Sequence, residues 1–105
     1  MPRKRTICVF GSAADKDYRR MIRTLAPHVD FWILTKARGA RSCSPEDLAR
    51  HVRRAAVMTY EVSAAVGLAR ELAGGQDLVL CTGSFYVAGE VLETDQSSVL
   101  RSRIR

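Results

Sequence analysis

Residues 77–91 read DLVLCTGSFYVAGEV, an apolar run that enters a Thr-Gly-Ser turn and reopens as a short amphipathic segment. Leu78, Val79, Leu80 and Cys81 are four consecutive apolar residues. That pattern belongs to a strand covered on both faces, as at the centre of a parallel sheet whose crossovers are helices. A strand that passes through a glycine turn into a helix N-terminus is also a place where α/β proteins hold anions. Gly83 permits close backbone approach, and Ser84 can cap the following helix or offer its hydroxyl to a ligand.

The rest of the chain repeats this strand-then-helix order. Residues 6–10, TICVF, are a β-rich run ending at Gly11. Tyr18, Met21, Ile22 and Leu25 fall at i, i+3, i+4 and i+7, which predicts a helix over residues 17–26 that Pro27 ends. Residues 31–35, FWILT, predict a second strand with Trp32 in the core, followed by a polar loop. Ser44-Pro45-Glu46-Asp47 is a helix start, with Ser44 as N-cap, Pro45 at the first position and two carboxylates where the macrodipole favours them. Leu48, Val52 and Ala55 form the apolar face of that helix. Residues 56–60 predict a third, weaker strand, and Ser63 is expected to cap a helix that stops at Gly74-Gly75. Residues 78–82 are the fourth strand and residues 84–92 the last helix.

Strands alternating with helices predict an α/β, Rossmann-like three-layer domain with a mainly parallel sheet and right-handed crossovers. A single domain is expected over residues 1–92. Residues 93–105 lack a sustained period and are expected to form a frayed or disordered tail.

No apolar run approaches the roughly 20 residues of a membrane span, and the basic N-terminus leads into a strand pattern instead of a signal-peptide apolar stretch. A cytoplasmic address with no membrane partner is the expectation. The formal charge of +6 loses its apparent meaning when divided along the chain. Arg3, Lys4 and Arg5 supply half of it, and residues 6–92 hold 11 basic against 9 acidic side chains, a mixed solvated surface. No specific nucleic-acid partner is expected, since neither aromatic stacking positions nor a reading helix accompany the charge. Three cysteines without a CxxC pair suggest neither a disulfide framework nor a zinc site. Cys8 and Cys81 read as small core residues, and Cys43, in its polar loop, as exposed and oxidisable. His28 and His51 have no partner at metal or triad spacing, so neither a metal site nor a catalytic residue is assigned to this chain.

In a parallel sheet the carboxyl ends of the strands gather the βα loops. Here they carry Lys16, Lys36, Arg38 and Arg41 beside two helix N-termini, which suits an anionic ligand such as an amino-acid carboxylate or a phosphate. The alternative is that these cations are ordinary solvated loop residues. Asp15 is a natural N-cap and Asp17 a favourable first-turn residue, whatever else they do.

Val9-Phe10-Gly11 followed by Asp15-Lys16-Asp17, Leu25-Ala26-Pro27, Ile33-Leu34-Thr35, Arg41-Ser42-Cys43-Ser44-Pro45-Glu46 and the stretch at 77–91 occur in a fixed order and spacing. From about residue 6 to residue 92 this series resembles the C-terminal domain of folylpolyglutamate synthase/dihydrofolate synthase, in the Mur ligase superfamily. The resemblance implies ATP-dependent amide formation in folate metabolism: a carboxylate is phosphorylated to an acyl phosphate, and the amine of glutamate attacks it to extend a folate γ-glutamyl chain. It implies that this domain closes over the cleft and positions glutamate, with Thr82, Gly83 and Ser84 in the glutamate-holding turn and the loops bearing Asp15, Lys16, Asp17 and Arg41 facing the cleft. ATP and Mg²⁺ are implied for the full-length enzyme and no cofactor for this chain, which lacks a P-loop ending in Gly-Lys-Ser/Thr and the family's Asp-Gly-Ala-His-Asn-Pro segment. Ala40 also departs from the family, which often has Pro before the arginine equivalent to Arg41. The partner then expected is the missing N-terminal ATPase/folate-binding domain, without which the chain is inactive. Two other readings stay open. One is a standalone Rossmann-like nucleotide-binding module, although Gly11-Ser12-Ala13-Ala14-Asp15 lacks the GxGxxG pattern; the other is a non-catalytic docking partner of a separately encoded ATPase domain.

Overall fold

Thr6–Gly11 forms β1, the central strand, and its near-continuous apolar sequence is what a strand buried on both faces requires. The computed structural model describes residues 5–39, 41–83 and 103–104. In chain order β1 is followed by α1 (Tyr18–Leu25), a 3₁₀ turn (Ala26–His28), β2 (Phe31–Leu34), α2 (Pro45–Ala49), β3 (Ala56–Met58), α3 (Val62–Leu72), β4 (Leu78–Gly83) and β5 (Arg103–Ile104). The sheet order is β3-β2-β1-β4-β5 and every pairing is parallel. The α/β, Rossmann-like architecture expected from the sequence is therefore the one the chain adopts. The expected tail contributes a strand that its sequence did not signal: Arg103 and Ile104 lie beside Leu80 and Cys81. The rest of that tail, and the helix expected over residues 84–92, lie outside the described residues.

Period-two alternation along the strands divides the core into two layers. Ile7, Val9, Ile33 and Cys81 pack with Val62, Ala65, Val66 and Ala69 of α3. On the other face Cys8, Phe10, Trp32, Leu34 and Leu80 pack with Ile22 of α1 and Leu48 of α2. Trp32 is buried as expected and meets Phe10 edge to face, with ring centroids 5.9 Å apart. Right-handed crossovers explain the layering: the chain moves one way through α1 and α2, then back across the sheet through α3, so the helices fall on opposite faces. Among the described residues no helix is long and apolar enough to cross a membrane.

Local signals were mostly obeyed, with instructive shifts. Ser44 caps α2 as expected, its hydroxyl accepting from the Asp47 N–H at 3.1 Å, with Pro45 in the first turn. The helix is shorter than its apolar spacing suggested, stopping at Ala49 as the Arg50-His51 turn begins. The cap of α1 is Asp17, not Asp15. Lys16 N–H bonds the Ala13 carbonyl at 3.2 Å and closes a turn that takes in Asp15, while Asp17 accepts from the Arg20 N–H at 3.2 Å. Likewise α3 begins at Val62, which is buried, with Glu61 at the N-cap position making no side-chain capping bond, and Ser63 lies inside the helix. Cys43 corrects the expectation of an exposed thiol. It is 4% exposed, since its N–H bonds the Ser12 carbonyl at 2.8 Å and draws the loop onto the sheet end. Burial raises its pKa, partly offset by a hydrogen bond with Tyr18.

At the amino edge of the sheet Arg5 clamps β1 to the approach of β4. Its guanidinium meets Asp77 Oδ2 at 2.8 Å and the Leu72 carbonyl at 2.9 Å, and its backbone N–H donates to Asp77 Oδ1 at 3.1 Å. Asp77 also accepts from the Gly74 N–H at 2.8 Å. The Arg5 guanidinium, with the Gly74 and Arg5 backbone N–H groups, holds the Asp77 carboxyl well below the usual carboxylate range. Because the folded-state value is depressed, this contribution to stability is present above the ordinary value of about 3.9 and is lost as pH falls toward the folded one. Denaturation of Asp77→Asn should show lower stability than wild type at neutral pH, with the difference narrowing steadily below about pH 4. A pH-independent difference would show that the charge of Asp77 is not what matters. At the other end of the same pair of strands, Gly83 has φ +129°, and a Cβ there would lie 1.7 Å from the Gly11 carbonyl oxygen. Gly83→Ala should destabilise the domain by more than about 2 kcal/mol, from both strain and overlap, read by the same denaturation experiment; a loss under half of that would show that the strand ends can separate freely.

Candidate functional site

The chain leaves β1 in one direction through α1 and reaches β4, on the other side of β1, only after crossing back through α3. A sheet whose strand order reverses between β1 and β4 in this way binds ligands at the carboxyl ends of those two strands. Register pairs Phe10 with Thr82 and Gly11 with Gly83 at its floor. Ser84, the residue after this pair, lies outside the described residues.

The two loops on the β1–β2 side are knitted together. Ala14 N–H donates to the Arg41 carbonyl at 2.7 Å, and Ala13 and Ser42 form an antiparallel bridge. Ser42 Oγ in turn donates to the Ala37 carbonyl at 2.8 Å. The Asp15-Lys16-Asp17 segment and Arg41, singled out separately in the sequence, thus belong to one loop cluster. All four are exposed.

Lys16 and Asp17 also line a groove of about 450 Å³ with Thr82, which is buried at the end of β4. Arg20, Met21, Thr24 and Leu25 of α1 complete it. The structure brings three of the expected residues, Lys16, Asp17 and Thr82, to one surface, places Gly83 beside them, and leaves Asp15 and Arg41 in the adjoining loops. Sequence reasoning missed Arg20 and Thr24. Their signal was their own four-residue step within α1, which places both on one side of the helix.

A second polar cluster lies at the β3 end of the same edge. The Tyr60 hydroxyl hydrogen-bonds the Glu46 carboxylate, which lowers the Glu46 pKa with help from its own backbone N–H and from Lys36, and raises that of Tyr60.

No group of three or more His, Cys, Asp or Glu side chains able to hold a metal occurs among the described residues. The chain also has no P-loop sequence ending in Gly-Lys-Ser/Thr.

The sequence pattern of the Mur ligase glutamate ligase domain matches residues 1–85. Among solved structures, the folylpolyglutamate synthase/dihydrofolate synthase of Yersinia pestis, complexed with AMPPNP and Mn, superposes with a TM-score of 0.84 at 29% identity, covering 90% of this chain and 23% of that one. E. coli FolC with DHPP and ADP gives 0.79 at 28% identity, covering 92% and 24%. A bifunctional folylpolyglutamate synthase/dihydrofolate synthase with Mn, AMPPNP and L-glutamate bound gives 0.81 at 27%, covering 90% and 23%. No curated protein sequence matches. The chain spans about a quarter of the length of the solved enzymes it resembles. The chain belongs to the Mur ligase family, as a glutamate ligase domain of the kind found at the C-terminus of folylpolyglutamate synthase/dihydrofolate synthase.

Proposed function

We propose that this domain positions glutamate for ATP-dependent amide ligation in a folylpolyglutamate/dihydrofolate synthase, closing a cleft whose other wall is an N-terminal ATPase/folate-binding domain. The observation that carries this reading is the convergence of Lys16, Asp17 and Thr82 on one groove at the strand crossover, beside Gly83 and the Arg41 loop. A relative solved with L-glutamate bound adds support.

Each part of the edge has a role suited to an amino acid. Lys16 and Arg41 stabilise carboxylate charge, and the Thr82 hydroxyl, on a strand end held by the β1–β4 ladder, offers a hydrogen bond, as the Ser84 hydroxyl would. Asp17 and Asp15 place negative charge where an ammonium group would approach. A ligand held between a strand end and a capped helix loses its freedom of orientation before reaction, and that is where a domain without nucleotide-binding residues can add to the rate. Closure over the cleft would exclude water from the activated carboxylate. The nucleotide and its magnesium ion belong, in this reading, to the N-terminal domain.

Two measurements test it. The chain by itself should show no magnesium-dependent ATP hydrolysis above background, and robust turnover would overturn the division of labour. In a ligase containing this domain together with its ATPase partner, Thr82→Val or Ser84→Ala should raise the KM for glutamate about tenfold, the loss expected for a hydrogen bond to a charged group, with the KM for ATP little changed. An unchanged glutamate KM in both variants would sink the positioning role.

A further inference from the structure

We propose that the cleft between the 3₁₀ turn after α1 and the turn after α2 binds a small amphipathic anion, a carboxylate or phosphate carried on a hydrocarbon body of about one ring. The cleft lies toward the amino edge of the sheet, at the opposite end from Thr82 and Gly83. It is therefore separate from the ligase reading and does not rest on it.

The floor of the cleft is apolar. Ile22 of α1, Ala26 and Pro27 of the 3₁₀ turn, Trp32 near the start of β2 and Val52 line a volume of about 290 Å³. That is close to the lower limit of small-molecule sites, roughly 300–1,000 Å³, and fits one ring or a short chain. Pro27 is exposed and Ala26 and Val52 half-buried, so this hydrocarbon can be reached from solvent. The remaining lining is His51, Arg53 and Arg54, and no carboxylate is part of it.

Backbone bonds on either side hold the two arginines at the cleft. The Val52 N–H donates to the Ala49 carbonyl at 3.1 Å, and the Trp32 N–H to the Ala55 carbonyl at 3.1 Å, so residues 53 and 54 span two anchored points. His51 is steadied by Tyr18, with ring centroids 5.7 Å apart. Among the described residues neither Arg53 nor Arg54 makes a hydrogen bond or ion pair, through backbone or side chain. The acids of the amino edge are committed elsewhere: Asp77 to Arg5 and the Gly74 N–H, and Asp30 to the Thr6 N–H at 2.8 Å. Two adjacent guanidiniums without an internal acid match the paired oxygens of a carboxylate or phosphate. The floor adds a second requirement, because only a ligand with a hydrocarbon body removes it from water. An inorganic anion leaves the floor wet, and a neutral hydrocarbon leaves the guanidiniums unused.

The test is an NMR titration of the 105-residue chain with phenyl phosphate, phenylacetate, inorganic phosphate and benzyl alcohol at matched ionic strength. Trp32 is the only tryptophan, so its indole N–H is a single reporter inside the cleft. Phenyl phosphate or phenylacetate should shift that signal and the amides of Val52, Arg53 and Arg54 saturably; the tighter of the two identifies the head group, and either supports the site. Inorganic phosphate and benzyl alcohol, each lacking one half of the ligand, should bind more weakly than the ring-bearing anion. Arg53→Gln and Arg54→Gln should each weaken binding by up to about fivefold, the upper range for an exposed ion pair. Both side chains are exposed and unpartnered, so the variants should fold, and Arg23→Gln, exposed and outside the lining, should bind as wild type. The site is overturned by the absence of saturable shifts with both ring-bearing anions, by inorganic phosphate binding as tightly as they do, or by unchanged binding when Arg53 and Arg54 are replaced together.

Discussion

The carboxyl edge of this domain is set by how closely the ends of β1 and β4 approach. Their ladder continues through six register pairs and finishes on Gly11 opposite Gly83, where a single added carbon would overlap the facing carbonyl. The backbone of Gly83 also lies in a left-handed region that L side chains avoid. The two strands thus remain joined through Gly11 and Gly83, and the edge of the sheet is fixed there. A larger residue would blunt that edge whatever ligand it serves, so this glycine is required by the fold and by the site for one and the same reason.

The two edges of the sheet use charge in opposite ways. At the amino edge, carboxylates are consumed in holding backbone: Asp77 takes Arg5 and Gly74, and Asp30 accepts the Thr6 N–H at 2.8 Å while its own N–H returns to the Thr6 carbonyl. These contacts anchor the start of β1 and set its register against β2 and β4. At the carboxyl edge, Lys16 and Arg20 remain without described ion pairs. Asp15, Asp17 and Glu46 stand at the same edge, so cations and carboxylates are interleaved where the loops meet. Overall net charge gave no indication of this, since it averages over both edges.

The strands and their order in the chain were legible because burial on both faces leaves an unmistakable apolar run, as in TICVF and DLVLC, and because Ser44-Pro45-Glu46-Asp47 combines three local signals that agree. Features decided by contacts distant in sequence were not. Asp15 and Asp17 are equally good caps by residue type, and the choice falls to Asp17 because the Lys16–Ala13 bond places Asp15 inside a turn. Cys43 sits among polar neighbours, yet the bridge between Ala13 and Ser42 folds it inward. The groove is an intermediate case. Lys16 and Thr82 were identified from opposite ends of the chain, but Arg20 and Thr24 become part of a site only when β4 takes its place on the far side of β1.

What remains is a division between rigid and adaptable parts. Thr82 and Gly83 are fixed by the β1–β4 ladder, and Asp17 by its capping bond, so their positions vary little with the ligand. Lys16, Arg20 and Arg41 are long, exposed side chains whose charged ends can follow an anion over several ångströms. Such an edge can hold one end of a ligand firmly and accept variation at the other.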